Sequence, residues 1–458
     1  MNNLENKILD ESNIDVIRMN QPTININMLG HVSNGKSSLT YQLTQTKTQR
    51  YSTEQQRNIT IKLGYANAKI FKCDICPAPE CYKSYASDKM EAKCLYCDLP
   101  MKLMKHVSFV DSPGHYELMH VMLNGTSVAH STIIVESVSN LMIPAPQTKE
   151  HIEAANIIKL PNVMVCMNKI DLVDKSVAEK RIVMLRNALK DTIAENSPIV
   201  PISANFDINI DVVSQYICEN IPEPEKDLVS SVKMIITRSF NINKPNTLVK
   251  NIKGGVIGGS IIRGLLRLGD KVKILPGIIK NKDNKWNYYP LIAHVLSINS
   301  ENNKLQCAVP GGLIGVETTL DSAVTASDRI IGSVLEKFDD NSDNKVYDTI
   351  YVLLELKASY DKDISNEKKI IINHNGCDIL CELIKCKFHK KLGGLAVELR
   401  LMDRPIYATP NDYITINRIT SNSNSYSEKK YSIELIGRGK IIDGEVGILI
   451  DNFVSEDL

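Results

Sequence analysis

TININMLGHVSNGKSSLT (23–40) joins an apolar run, a glycine-punctuated turn and a helix-compatible segment in one continuous stretch. Within it, Gly30-His31-Val32-Ser33-Asn34-Gly35-Lys36-Ser37 fits GxxxxGK[ST] in the strand–loop–helix setting that this pattern requires. The chemistry follows from backbone geometry. Gly30 and Gly35 let N–H groups approach phosphate oxygens, and the helix N-terminus adds partial positive charge. Lys36 is placed to reach the β- and γ-phosphates, and the Ser37 hydroxyl to ligate Mg²⁺. Val32, Ser33, Asn34 and Ser38 complete the cradle.

Outward from this loop, short apolar strands alternate with amphipathic helical segments. Strand-like runs occupy 23–29, 106–112, 131–138, 162–168 and 197–203, with helix-period segments at 148–160 and 176–196. Strands apolar on both faces, separated by amphipathic helices, predict a mostly parallel α/β sheet. NIPEPEKDL (220–228) breaks the pattern with two prolines and several charges, and reads as a linker. Beyond it, VKMIITRSF (232–240), KVKIL (271–275) and IYVLLEL (350–356) are short, β-branched and bounded by turn residues, which predicts antiparallel barrels. FDDNSDNK (338–345) reads as a second boundary and SNSNSYSEKK (421–430) as a long loop. The expected architecture is an N-terminal extension (1–20), a P-loop α/β domain (21–224) and two β-barrel domains (229–337 and 345–458).

Composition narrows the class of partner. The chain has 458 residues, too many for one core, and 54 Lys+Arg against 53 Asp+Glu leave a formal charge of +1. No bulk positive field holds nucleic acid, so an RNA site must be a local patch. No apolar run approaches the ~18 residues of a membrane span, and the start lacks the pattern of a secretory signal. Eleven cysteines diluted in a large chain, with two CxxC pairs, fit reduced cytoplasmic thiols, some of them on a metal.

Two further strand ends complete a nucleotide site. Asp111-Ser112-Pro113-Gly114 offers a carboxylate that can hold Mg²⁺ through water and an N–H at Gly114 that can sense a γ-phosphate. Asn168-Lys169-Ile170-Asp171 selects the base, because the Asp171 carboxylate accepts from the N1–H and exocyclic amine of guanine, a donor pair that adenine lacks. Asn168 would bind the purine edge or the phosphate-loop backbone, and the Lys169 stem would lie along the ring. Ser203-Ala204 would bring a backbone N–H near the guanine O6. GTP/GDP is the expected ligand.

GHVSNGKSS (30–38), RNITIKLGYANAKI (57–70), HVSFVDSPGH (106–115), PQTKEH (146–151) and NKIDLV (168–173) resemble the translational GTPases, and most closely the gamma subunit of initiation factor 2. Further resemblance runs through PISAN (201–205), TRSFNINKP (237–245), KGGVIGGSIIRGLLRLGD (253–270), VPGGLIGVET (309–317) and ELIGRGKI (434–441), and covers roughly residues 20–455. It implies a GTP-binding domain and two barrels that together carry initiator methionyl-tRNA to the small ribosomal subunit. It also implies alpha and beta subunits, a GTPase-activating partner and an exchange factor. Thr60 is implied as the switch ligand of Mg²⁺, His115 as the group orienting the attacking water, and Val32 and Ile59 as apolar gates before it. The family usually has His where Asn34 stands; the backbone role survives that exchange, while side-chain contacts to the switches or a regulator need not. Its usual Cys is replaced by Ser112, a position expected to serve mainly as backbone. An elongation-type carrier of another aminoacyl-tRNA and a sulfurylase-type regulatory GTPase are the alternatives.

Cys73-x-x-Cys76 and Cys94-x-x-Cys97, separated by residues 77–93, match four-thiolate zinc spacing. Four thiolates close the coordination sphere, so the expected Zn²⁺ is structural. It would staple a polar insert between the RNITI segment and DSPGH that has no core of its own. The glycines of KGGVIGGSIIRG fit barrel bends better than a second phosphate loop, since no apolar strand precedes them. Arg238, Lys253, Arg263, Arg267, Lys271 and Lys273 form a basic set in the second module, as consistent with a solvated barrel face as with a tRNA patch. Cys377, Cys381 and Cys386 lack metal spacing, and His106, His120, His130 and His151 receive no chemistry.

Overall fold

The computed structural model describes residues 14–48, 60, 62–115, 118–282, 285–338, 345–357, 364, 367–391, 393–422 and 431–449. Ile59, most of the expected N-terminal extension, and most of the FDDNSDNK and SNSNSYSEKK segments lie outside the described residues. The chain forms two compact units. The first comprises residues 1–228 with 299–305 and 310–314; the second holds the remainder.

The first unit contains, in chain order, α1 (Ile14–Asn20), β1 (Ile24–Leu29), α2 (Lys36–Thr44), β2 (Gly64–Lys72), β3 (Tyr82–Ala86), β4 (Ala92–Lys93) and β5 (Pro100–Asp111). It continues with α3 (Met119–Thr126), β6 (Ser131–Ser137), α4 (Pro146–Ile158), β7 (Val163–Asn168), α5 (Lys175–Ala188), β8 (Ile199–Pro201) and α6 (Ile210–Asn220). One sheet runs in the order β3-β2-β5-β1-β6-β7-β8, with β4 paired to β5. Strands β5, β1, β6, β7 and β8 are mutually parallel, whereas β2 is antiparallel to β5 and β3 antiparallel to β2. The loops leaving β1, β5, β7 and β8 therefore gather at the carboxyl edge of the parallel strands, where ligands bind open α/β sheets.

Strand β1 shows how the sequence sustains this. Ile24, Ile26 and Met28 are fully buried on one face, and the equally buried Asn25 and Asn27 lie on the other. Both amides are anchored inside the fold: Asn25 Nδ2 donates to Val128 O at 3.0 Å, and Asn27 Oδ1 accepts from Ser112 Oγ at 2.6 Å. The helix expected over 176–196 ends at Ala188. Asp191 takes a left-handed φ of 60°, and Arg186 donates to the carbonyls of Glu195 and Ser197, so the following residues form fixed turns.

The second unit holds two closed antiparallel barrels of six strands each. The first closes through Lys271–Lys282, Val334–Lys337, Lys233–Phe240, Val256–Arg263, Leu313–Thr318 and Lys285–Ser300, back to Lys271–Lys282. The second closes through Gly394–Leu401, Cys377–His389, Lys369–His374, Tyr413–Asn422, Tyr431–Val446 and Lys345–Leu356. KGGVIGGSIIRG lies on a bent barrel strand: the register shifts between Gly258 and Gly259, and a Cβ at Gly259 would sit 1.9 Å from Ile235 O. Cys381 is buried in the second barrel's core. Among the described residues no helix is long and apolar enough to cross a membrane.

Candidate functional site

Between β1 and α2 the chain makes a loop that a residue with a Cβ could not follow. Gly30 has φ +135°, with Val135 O only 2.1 Å from where a Cβ would stand, and Gly35 has φ +94°. The Lys36 ammonium folds back beneath the loop, donating to Gly30 O at 2.8 Å and His31 O at 3.0 Å. Helix α2 starts at Lys36 with no side-chain cap, so its first N–H groups stay available to an anion. Burial pushes Lys36 down to about 8, against the favourable charges of Asp111 and Glu136. Val32, Ser33, Gly35, Lys36, Ser37 and Ser38 line one wall of a cleft of about 340 Å³.

The expected cation ligands come together at Ser37. Ser37 Oγ donates to Asp111 Oδ2 at 2.6 Å and stands 3.1 Å from Thr60 Oγ1. Thr48, which sequence reasoning missed, donates to the same carboxylate oxygen at 2.6 Å. A fully buried carboxylate surrounded by hydroxyls is a hard oxygen donor set, which fits Mg²⁺. Gly114 presses on the phosphate loop: a Cβ there would lie 2.5 Å from Lys36 Nζ and 2.7 Å from Val32 N. His115 borders the cleft beside it.

At the base end, Asn168 ties two loops together. Its Nδ2 donates to Asn34 O at 2.9 Å, and its Oδ1 accepts from Ala204 N at 3.1 Å. The Nδ2 bond reaches the phosphate-loop backbone, one of the two roles expected for Asn168. Lys169 turns the chain with φ +65° and lines the cleft, while Asp171 is exposed and receives the Ser203 hydroxyl. Ser203 N–H donates to Ile208 O and Ala204 N–H to Asn168, so both are engaged within the fold. The Ser203 hydroxyl orients the Asp171 carboxylate, and Asn205 borders the cleft.

Helix α4 anchors the loop from behind. Gly30 N–H donates to His151 Nδ1 at 2.9 Å and His31 N–H to Thr148 Oγ1 at 3.0 Å. Burial pushes His151 down to about 3, with Lys36 nearby adding to the effect, so the ring is neutral and can accept. Burial and Lys36 also lower His31. Asn34 is fully buried and points away from the cleft, donating to Val135 O at 2.8 Å. Ser112 contributes more than backbone, since its hydroxyl holds Asn27. The PQTKEH spacing, which puts residues 148 and 151 on one helical face, was the available signal for the α4 anchor.

The cysteine insert leaves β2 and returns on β5. The sulfurs of Cys73, Cys76, Cys94 and Cys97 all lie within 4.8 Å of one another, with Cys73–Cys97 and Cys76–Cys94 each at 3.5 Å. Four ligands at Zn–S distances of about 2.3 Å place sulfurs roughly 3.8 Å apart, so the cluster fits tetrahedral Zn²⁺. The Tyr96 and Cys97 N–H groups draw the Cys94 thiol down, while its bond with Cys94 pushes the Cys76 thiol up, so the proton is shared within the cluster. Cys81 is buried beside the cluster but outside the ligand set.

Comparison with known proteins accords with this geometry. The Elongation factor Tu GTP binding domain family matches residues 21–223. Eukaryotic translation initiation factor 2 subunit gamma of Schizosaccharomyces pombe is 46% identical over 319 residues, which is 69% of this chain and 71% of that protein. Eukaryotic translation initiation factor 2 subunit 3 of Drosophila melanogaster is 42% identical over 341 residues, 71% of this chain and 72% of that one. Among solved structures, a bacterial selenocysteine-specific elongation factor EF-Sec aligns with TM-score 0.65 at 19% identity, covering 92% of this chain; the chain spans 58% of that factor's length. Elongation factor SelB of Methanococcus maripaludis, in complex with the GTP analogue GppNHp, gives TM-score 0.66 at 19% identity, covering 93% of this chain and 80% of that one. At such identities these two structures speak to fold alone.

Proposed function

Because this chain belongs to the gamma-subunit family of eukaryotic translation initiation factor 2, we propose that it binds initiator methionyl-tRNA in its GTP form and delivers it to the small ribosomal subunit. It is a GTPase, hydrolysing GTP to GDP and phosphate, and a component of the initiation factor 2 complex. Within that complex we assign it the core position between alpha and beta subunits, in the cytoplasm, with hydrolysis accelerated by an activating partner and GDP release by an exchange factor.

The observation that carries the switch is the convergence of Ser37, Thr60 and Asp111 at one point of the cleft, with Gly114 pressed against the phosphate loop beside it. When bound, Mg²⁺ neutralises phosphate charge at that point. Lys36 and the N-terminus of α2 hold the phosphates, and Asp171, oriented by Ser203, selects guanine. The Gly114 N–H meets the γ-phosphate. His115 orients the water that attacks the γ-phosphorus, behind a gate formed by Val32 and Ile59. Loss of the γ-phosphate removes what holds Thr60 and Gly114 in place, and the tRNA-binding state is released with them.

The test is binding of methionyl initiator tRNA, elongator methionyl-tRNA and uncharged initiator tRNA to the purified chain, with GppNHp and with GDP. Moderate fixed salt is used because phosphate contacts make affinity salt-dependent. The series is repeated with the alpha subunit added. Preference for the charged initiator in the GTP state is expected. Tight guanine nucleotide binding without discrimination among the tRNAs would overturn the delivery role.

A further inference from the structure

Glu136 stands at the end of β6, wholly buried, on the side of the phosphate loop away from the cleft. No motif includes it and no nucleotide contact requires it. Yet four donors surround its carboxylate. Asn140 Nδ2 reaches Oε1 at 2.5 Å and Ala145 N–H, at the start of α4, reaches the same oxygen at 3.3 Å. Asn34 Nδ2 reaches Oε2 at 3.3 Å, and the Thr148 hydroxyl donates as well. The positive end of α4 adds to this field.

Two of those donors lead directly to the phosphate loop. Thr148 Oγ1 accepts from His31 N–H at 3.0 Å and from Asn34 Nδ2 at 3.2 Å, so its own hydrogen is left to Glu136. Asn34 belongs to the loop itself, and its Oδ1 accepts from Asn140 Nδ2 at 2.9 Å. The Asn34 side chain thus meets a buried carboxylate.

We propose that Glu136 is a positioning residue for nucleotide binding, acting through Asn34 and Thr148 to hold the phosphate loop in its anion-binding shape. An acceptor-only group is needed, because either orientation of an amide at 136 would turn an NH₂ toward groups that are themselves donors. The carboxylate is outside the cleft and does not touch the reacting atoms. Its loss therefore acts on how tightly the loop holds phosphate rather than on hydrolysis of what is held. The inference rests on the assigned GTP binding, so wild-type affinity is measured first.

Glu136→Gln is compared with wild type in the full chain, using dissociation of fluorescent GDP and GppNHp, single-turnover hydrolysis of bound GTP and hydrogen exchange at the loop amides. Expected are dissociation faster by about tenfold for both nucleotides, exchange at His31 faster, and hydrolysis of bound GTP within threefold of wild type. Asn34→Ala, which removes one arm without touching the charge, is expected to give a smaller loss in the same direction and serves should Glu136→Gln fail to fold. Unchanged dissociation and exchange in a folded Glu136→Gln protein overturn the proposal. So does a fall in hydrolysis with affinity intact. Failure of the wild-type chain to bind guanine nucleotide would instead remove the function on which the proposal stands.

Discussion

Replacing Gly35 with Ala tests whether the phosphate loop and the guanine loop are one mechanical unit. The added Cβ would stand 2.2 Å from Asn168 Nδ2, well inside contact distance. Asn168 is buried and fixed at both ends of its amide, to Asn34 O at 2.9 Å and from Ala204 N at 3.1 Å, so it cannot swing aside without losing both bonds. Two such bonds contribute about 0.5–1.5 kcal/mol each. Left-handed backbone at residue 35 costs an alanine about 1–2 kcal/mol more. The sum, about 2–5 kcal/mol, corresponds to nucleotide affinity weaker by about 30- to 5,000-fold. In an Asn168→Ala background the obstruction is gone, and Gly35→Ala should cost only the backbone strain, about 5- to 30-fold. Titration of a fluorescent GDP analogue against the four proteins, with thermal unfolding as a fold control, measures both quantities. Gly35→Ala affinity within threefold of wild type, or losses that simply multiply in the double variant, would refute the mechanical link.

Cys94→Ser should abolish a stoichiometry of one zinc per chain, measured by metal analysis, while protein remaining in solution binds GDP within threefold of wild type. Asp111→Asn should raise the Mg²⁺ concentration needed for slow nucleotide release by at least about tenfold, read from a magnesium titration of the dissociation rate. The pH dependence follows from Lys36, whose ordinary value of 10.5 falls to about 8 in the cleft. Between these values the unfolded chain holds the proton that the folded chain has released, so this group makes stability rise with pH across that window. Phosphate needs the ammonium, so nucleotide binding above pH 8 should take up a proton and weaken as pH rises. Calorimetry at pH 9 in buffers of different ionisation heat reports that uptake, and its absence would mean the lysine is already charged in the empty cleft.

Much of the site was readable from sequence because its chemistry is local. Gly30 and Gly35 are demanded by backbone angles that their own motif fixes, Lys36 and Ser37 open the helix that follows it, and Asp111 and Asn168 sit at strand ends that apolar runs announce. The cysteine cluster was equally visible, since two CxxC pairs carry their own geometry. What escaped depends on groups brought together across the sheet. His151 looks like one more residue of an amphipathic helix until Gly30 N–H is found pointing at it. Glu136 looks like a polar interruption of a strand, and Asn34 like a shortened switch contact, until both turn out to face inward together. The acceptors that the Ser203 and Ala204 N–H groups find, Ile208 O and Asn168 Oδ1, likewise come from the fold and not from the local sequence. Closure of the barrels depends on pairings between strands far apart in the chain, which strand periodicity does not encode.

The cysteine cluster also guards a sheet edge. Strand β3, which lies between the two CxxC pairs, is the outermost strand of the first unit's sheet and covers β2 from Ala68 to Lys72. Should the insert come loose, β2 would offer an uncovered row of N–H and C=O groups along a segment that includes Ile70 and Phe71, a template for other chains. Zinc supply would then govern how much of the newly made protein escapes aggregation. In a cell, a cysteine substitution here would show first as lost abundance and chaperone load, with the surviving molecules still competent to bind nucleotide.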